Sequence, residues 1–270
     1  MERIVAVNTN CYHGYSLNEA LSGIAEAGFK YIELTATKGW TEHVMPEMSF
    51  KELYNIKLKI QEMGLSVIGF SGHCNLLDED RLHDFVDNIR LAGFFESKYI
   101  VTSIGEAHFG SNKSSSLKLL TENIKSLIPE LKANNLKLVL EIHGAYSTAS
   151  IMEKIVDAVS SEIVGINYDT ANAIFYGNVD PTQDIKKCID KILYMHIKDK
   201  AGANNEWNFP ALGKGYIDFP SILSQLDAYK NYCPLSIEIE FTQKGAKDIN
   251  EVNDAVRYSG DYLKSLGYQI

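Results

Sequence analysis

The sequence predicts an α/β fold, a closed (β/α)8 TIM barrel built from residues 1–270 as a single domain. Eight short apolar runs alternate along the chain with eight helical stretches, the pattern of parallel strands joined by helices. The runs are mostly continuous rather than cleanly alternating, as strands covered on both faces must be. An open doubly wound sheet would place a glycine-rich phosphate loop after an early strand, and VNTNCYHGYS is not GxGxxG. A chain of 270 residues, 45% hydrophobic and without a low-complexity tract, suits one barrel with a substantial core.

The first strand is RIVAVNT, followed by the helix SLNEALSGIAEAGF. There Ser16 and Glu19 have the spacing of a capping box, Leu17, Leu21 and Ile24 form the apolar stripe, and Gly28 stops the helix. The second unit, YIELTA then SFKELYNIKLKIQEMG, repeats this grammar with Ser49, Glu52 and Gly64. LSVIGFSG precedes a helix with acids at its start, DEDRLHDFVDNIRLAGFF; KYIVTS precedes a longer loop near residues 105–112 and the helix SSSLKLLTENIKSLIPELKANN. The last four strands are KLVLEIHG, EIVGINYDTAN, ILYMHIKDK and PLSIEIEF, with helices expected near 149–160, 181–188, 219–231 and 249–266.

A formal charge of −9 with no dense Lys/Arg run excludes a generic polyanion binder, so no nucleic-acid partner is expected. No apolar run reaches the roughly 18 residues of a membrane span, and MERIVAVNT lacks the apolar core of a signal peptide. A cytoplasmic protein is expected, with no membrane partner. Cys11, Cys74, Cys188 and Cys233 form no CxxC pair, which points to reduced core thiols rather than a zinc ribbon or disulfide framework.

Glu141, Asp169, His196 and Glu238 each stand at or near the end of one of the last four strands. An ionised carboxylate in an apolar setting must be paired or metal-bound. In a barrel of this kind, the carboxyl ends of the strands carry the active site. Three acids and one imidazole make a suitable shell for one divalent metal, Mn²⁺, Mg²⁺, Co²⁺ or Zn²⁺. Each acid taken alone competes with a local salt bridge or a backbone donor, but four equivalent strand ends favour a shared site. Glu33, His73 and His108 fall at the same end. Glu240 shares a face with Glu238 and is the alternative ligand.

Several neighbours have two readings. His73 is a pocket residue or a satisfied loop histidine, and His143 a substrate-binding group or an exposed one. Lys198 meets a substrate oxygen or pairs with Glu240 or Asp199. Trp207, Trp40 and Phe109 cover the apolar face of a ligand or simply pack. Lys214 between Gly213 and Gly215 suggests a small anion site or ordinary loop chemistry.

The chain resembles the xylose isomerase-like sugar phosphate isomerase/epimerase superfamily, which also includes the AP endonucleases. The residues that carry the likeness are Glu141 in LEIHG, Asp169 with Asn172 in YDTAN, His196 in MHIKD, ALGKGYIDFPSIL, and Glu238 in PLSIEIE. The resemblance implies that Glu141, Asp169, His196 and Glu238 bind the metal, with Glu238 rather than Glu240 as ligand. It also implies that Glu141 and Glu238 are the catalytic pair, working on opposite faces of a small-molecule sugar. The activity so implied is that of a metal-dependent isomerase or epimerase of a ketose-like sugar, by proton abstraction beside a polarised carbonyl through an enediolate. His73, His143, Lys198 and Trp207 would line the substrate site, and a homo-oligomer is implied.

A dehydratase acting on an inosose, keto-glycoside or dehydroshikimate-like substrate shares the first chemical step and is the alternative. The ketohexose 3-epimerases resemble HxGE followed by an arginine after the metal histidine, whereas this chain has His196, Ile197, Lys198 and Asp199. An AP endonuclease carries an extra histidine three residues after the strand-six aspartate, where Asn172 stands here. A non-catalytic sugar-binding barrel would bind without turnover.

Overall fold

The computed structural model describes residues 3–105 and 117–270. Eight parallel strands close in sequence order: β1 (Val5–Asn8), β2 (Tyr31–Thr35), β3 (Ser66–Ser71), β4 (Tyr99–Thr102), β5 (Lys137–Glu141), β6 (Val164–Asp169), β7 (Ile192–Ile197) and, after a two-residue strand β8 (Asn208–Phe209), β9 (Leu235–Ile237). Pairing of β9 with both β7 and β1 shuts the barrel. β8 stands apart and pairs antiparallel with β10 (Phe241–Thr242), tying the loop after β7 to the loop after β9.

The helices are α1 (Leu17–Glu26), α2 (Phe50–Glu62), α3 (Glu79–Phe94), α4 (Leu117–Ala133), α5 (Ala149–Val159), α6 (Thr170–Phe175), α7 (Pro181–Asp184), α8 (Phe219–Ala228) and α9 (Ile249–Ser265). Both expected capping boxes form: Ser16 and Ser49 each accept from the third helical residue, whose glutamate side chain returns the bond. Gly28 and Gly64 follow in left-handed backbone, at φ 92° and 71°.

Three boundaries differ from those the sequence suggests. The sixth strand stops at Asp169, because that carboxylate accepts from the amides of Ala171 and Asn172 and starts α6 inside what reads as strand. The stretch 181–188 is a single turn of α-helix running into a 3₁₀ turn, followed by another at Ile189–Lys191. The last barrel strand ends at Ile237, and Phe241 leaves it for β10; with α6 added, nine α-helices are described instead of eight.

The main apolar layer lies between barrel and helices. Ile32, Leu34, Phe70, Leu138, Leu140 and Ile166 meet Leu21, Ile24, Phe85, Ile124, Ile155 and Leu226 there, all buried. Complete burial of such a side chain contributes about 1.5–3 kcal/mol. Residues of opposite parity point into the barrel, where Val101, Val139 and Tyr194 form a small separate cluster. All four cysteines are free and buried. No helix among the described residues is long and apolar enough to cross a membrane.

Candidate metal centre and active site

Strand register assembles the site. Asp169 on β6 is the direct partner of His196 on β7, Glu141 on β5 that of Asn167 on β6, and His196 that of Ser236 on β9. Glu238 follows β9 by one residue. Glu141, Asp169, His196 and Glu238 are all buried, and one donor atom from each lies within 4.8 Å of the others.

The two ring nitrogens of His196 have separate tasks. Nε2 lies 3.0 and 3.1 Å from the two carboxylate oxygens of Glu33 on β2, across the barrel. Tyr194 donates to Glu33 at 3.0 Å and Ser71 at 2.5 Å, which fixes that carboxylate. An Nε2 proton shared with Glu33 leaves Nδ1 facing Glu238 at 3.4 Å, Glu141 at 3.5 Å and Asp169 at 4.0 Å. A carboxylate behind a ligand imidazole sets its tautomer and raises its basicity.

Each acid is held by amides of the chain itself. Asn172 Nδ2 donates to Glu141 Oε1 at 3.1 Å, and His73 Nε2 stands 3.3 Å from Oε2. His73 Nδ1 accepts from the Ser103 amide at 3.0 Å, so its proton belongs on Nε2, facing Glu141. Asn10, in the turn after β1, donates to Glu238 at 3.0 Å and to Glu240 at 3.4 Å. Trp40 and Thr41 in turn donate to Asn10 Oδ1.

Electrostatics divides these groups. Burial would raise the Glu141 and Glu238 carboxyls, but His73 beside the first and Lys198 beside the second outweigh it, so both are held below the usual carboxylate range. Asp169 goes the other way: burial, reinforced by Glu238 and Glu141, outweighs Lys198 and pushes it well up. Burial also opposes the charged form of His196, yet Glu33 and Glu238 raise it well above an ordinary imidazole. Asp169 Oδ2 and His196 Nδ1 are buried without a hydrogen-bond partner. Two orphaned ligand atoms among converging carboxylates are the donor set a divalent cation satisfies, so the residues fit a metal.

Lys198 reaches the site, as its strand parity suggests. Its Nζ lies 2.6 Å from Glu240, 3.4 Å from Glu238 and 4.6 Å from the centre of the Phe209 ring. Glu240 is therefore the lysine's partner rather than a member of the four-residue cluster. Burial raises its carboxyl despite Lys198.

Asp199 turns away to organise a loop. Its carboxylate accepts from the amides of Lys200, Gly213, Gly215 and Ile217 at 2.8–3.2 Å. The backbone amides on either side of Lys214 are thus taken up by this chain's own aspartate. A Cβ on Gly215 would collide with Asp199 Oδ1. Lys214 itself lies over the Tyr258 ring, 4.0 Å from its centre.

His143 packs at a tilt of 45° against Tyr176 with ring centres 4.5 Å apart, and burial lowers its pKa to about 4, which leaves it neutral at pH 7. Trp207 packs edge-on against Phe175 and Phe209. His73, His143, Lys198 and Trp207 all line one small cavity above Glu141 and Glu238, of about 20 Å³. His108 and Phe109 lie outside the described residues. Asn10 escaped the sequence reading because an amide carries no charge to mark it; its only signal is a position just beyond the first strand.

The family model for the xylose isomerase-like TIM barrel matches residues 21–266. The chain belongs to that family. No curated protein matches its sequence. Among solved structures, this family member is similar to an L-ribulose 3-epimerase, at 18% identity and a TM-score of 0.77 over 98% of this chain and 94% of the other. A xylose isomerase-like barrel protein from Mycobacterium smegmatis, solved in complex with magnesium, gives 17%, 0.77, 98% and 97%. The 3-keto-D-glucoside 4-epimerase of E. coli gives 18%, 0.75, 98% and 100%. At these identities the likeness shows the fold.

Proposed function

We propose that the protein is a divalent-metal-dependent epimerase or isomerase of a ketose-like sugar, with Glu141, Asp169, His196 and Glu238 as ligands and Glu141 and Glu238 as the proton-moving pair. The observation that carries this reading is the cluster itself: two glutamates kept ionised beside an aspartate and a histidine whose inward atoms lack partners. Magnesium in a similar barrel and epimerase activity in others support it.

Glu141, Asp169, His196 and Glu238 would hold the metal, which would supply Lewis acidity to polarise a substrate carbonyl. Glu141, fixed by Asn172 and His73, removes the proton from the carbon beside the carbonyl. Glu238, fixed by Asn10, returns one from the other face. Because Glu238 rests ionised, it must be protonated before it can return one; the Lys198 ammonium 3.4 Å away, held firmly between Glu238 and Glu240, favours the ionised form and is not its proton source. His143, neutral, lines the same cavity.

Dehydration is a second reading, favoured by Glu240: a carboxyl raised by burial, close to the site, has the character of an acid for a leaving β-hydroxyl. Solvent-deuterium incorporation into a ketose tests the shared first step, and product analysis separates the outcomes. Glu141→Gln and Glu238→Gln are each expected to lower exchange at least about 100-fold with an unchanged circular dichroism spectrum. Near-normal exchange in both would remove the assigned pair.

A further inference from the structure

The turn after β1 carries a side chain whose hydrogen bonds tie three loops together. Asn10 is buried, and its backbone amide donates to the Asn8 side chain at 2.9 Å. Its Nδ2 donates to Glu238 at 3.0 Å and to Glu240 at 3.4 Å, both in the segment after β9. Its Oδ1 accepts from the Trp40 indole at 3.1 Å and from the Thr41 hydroxyl at 2.7 Å, both in the loop after β2. A reversed amide would set an oxygen against two carboxylates and an NH2 group against an indole N–H, so its orientation is fixed. The Thr41 hydroxyl has one hydrogen, and it goes to Asn10. His13 Nδ1, 2.8 Å from the same hydroxyl oxygen, is therefore a donor, and its ring stacks on Trp40 at 4.1 Å and 12°.

Trp40 stands where this brace meets the space for a ligand. It belongs to the walls of the inner cavity of about 20 Å³ and of an outer chamber of about 830 Å³. The inner cavity has room for a water or an ion, so a larger ligand lies in the chamber, whose wall includes Trp40.

We propose that Asn10 is a positioning residue that aims Glu238 and couples it to Trp40, so that filling the metal site is felt at the wall of the ligand chamber. This rests on the reading of Glu238 as a metal ligand. Hydrogen bonds in a chain polarise one another, and an amide that donates to an anion accepts more strongly at its oxygen. Glu238 loses charge density when it ligates a cation, which weakens the Asn10 donation and with it the indole bond. The coupling is reciprocal: a ligand that moves Trp40 changes metal affinity by the same factor.

The chain has only two tryptophans, Trp40 and Trp207, so a nitrogen-15 spectrum holds two indole signals, and Trp207→Phe assigns them. Magnesium is titrated into the full chain, with its affinity measured by calorimetry. The Trp40 indole proton is expected to exchange slowly with solvent and to move upfield as magnesium binds. Asn10→Ala should abolish that response and weaken magnesium binding about tenfold. Thr41→Val, which touches neither carboxylate, should alter the response with a smaller loss of affinity. Asn172→Ala, which frees Glu141 instead, should weaken binding yet keep the Trp40 response, a separation that a merely structural role for Asn10 would not produce. A response that survives Asn10→Ala, or is lost equally in Asn172→Ala, overturns the coupling and leaves the metal reading standing. No magnesium binding by the unaltered chain overturns both.

Discussion

Glu33 shows how far one residue's task can be separated from its charge. It makes no contact with the cluster's open side, yet it holds the outer nitrogen of His196, and Tyr194 and Ser71 hold it in place. Glu33→Gln keeps the shape and removes the anion, so metal affinity is expected to fall about 10–100-fold in a calorimetric titration with little change in folding. Protonation gives a second expectation. Without metal, Asp169 and His196 both have raised pKa values and keep their protons to higher pH than usual, so a cation competes with protons for them. Binding should therefore release protons and tighten as pH rises. Binding heats that differ between buffers of different ionisation enthalpy check this, and identical heats would contradict it. At this scale the four clustered residues were legible because each is a costly group ending an apolar run. Asn10 was not, since its amide matters only through the carboxylates that the fold brings to it.

Among elements, the loop from residue 211 to 217 depends on one carboxylate. Four amides converge on Asp199, and hydrogen bonds to a charged group contribute about 1.5–3 kcal/mol each when measured singly. Asp199→Ala should cost on the order of 3 kcal/mol in denaturant unfolding and strip hydrogen-exchange protection from Gly213, Gly215 and Ile217. If protection survives, the loop is held by something else. The sequence showed two glycines around Lys214 and left a small anion site and ordinary loop chemistry as equal readings; it gave no means of seeing that the amides of Gly213 and Gly215 would meet Asp199. Asp169 misled for a related reason. A polar strand end and a helix cap have the same one-letter code, and here one side chain is both, so the first residues of α6 read as a continuation of the strand.

The whole molecule was the most legible level. Barrel closure needs only eight apolar runs at parallel-strand spacing, and periodicity records that directly. The chamber was not legible, because loops from distant parts of the chain make its walls and no period governs them. The burial of all four cysteines has a separate consequence. Burial raises the thiols of Cys11 and Cys188 and takes that of Cys233 to about 12, so none of these three offers a thiolate at neutral pH. A colorimetric disulfide reagent should find almost nothing to react with in the native protein and four equivalents in denaturant. Between those limits each thiol reacts only when its own surroundings open. Cys11 lies beside the loop after β9, Cys74 beyond β3, Cys188 between two 3₁₀ turns, and Cys233 just ahead of β9. Labelling followed by peptide mapping would turn these four side chains into clocks, each timing the breathing of a different part of the barrel.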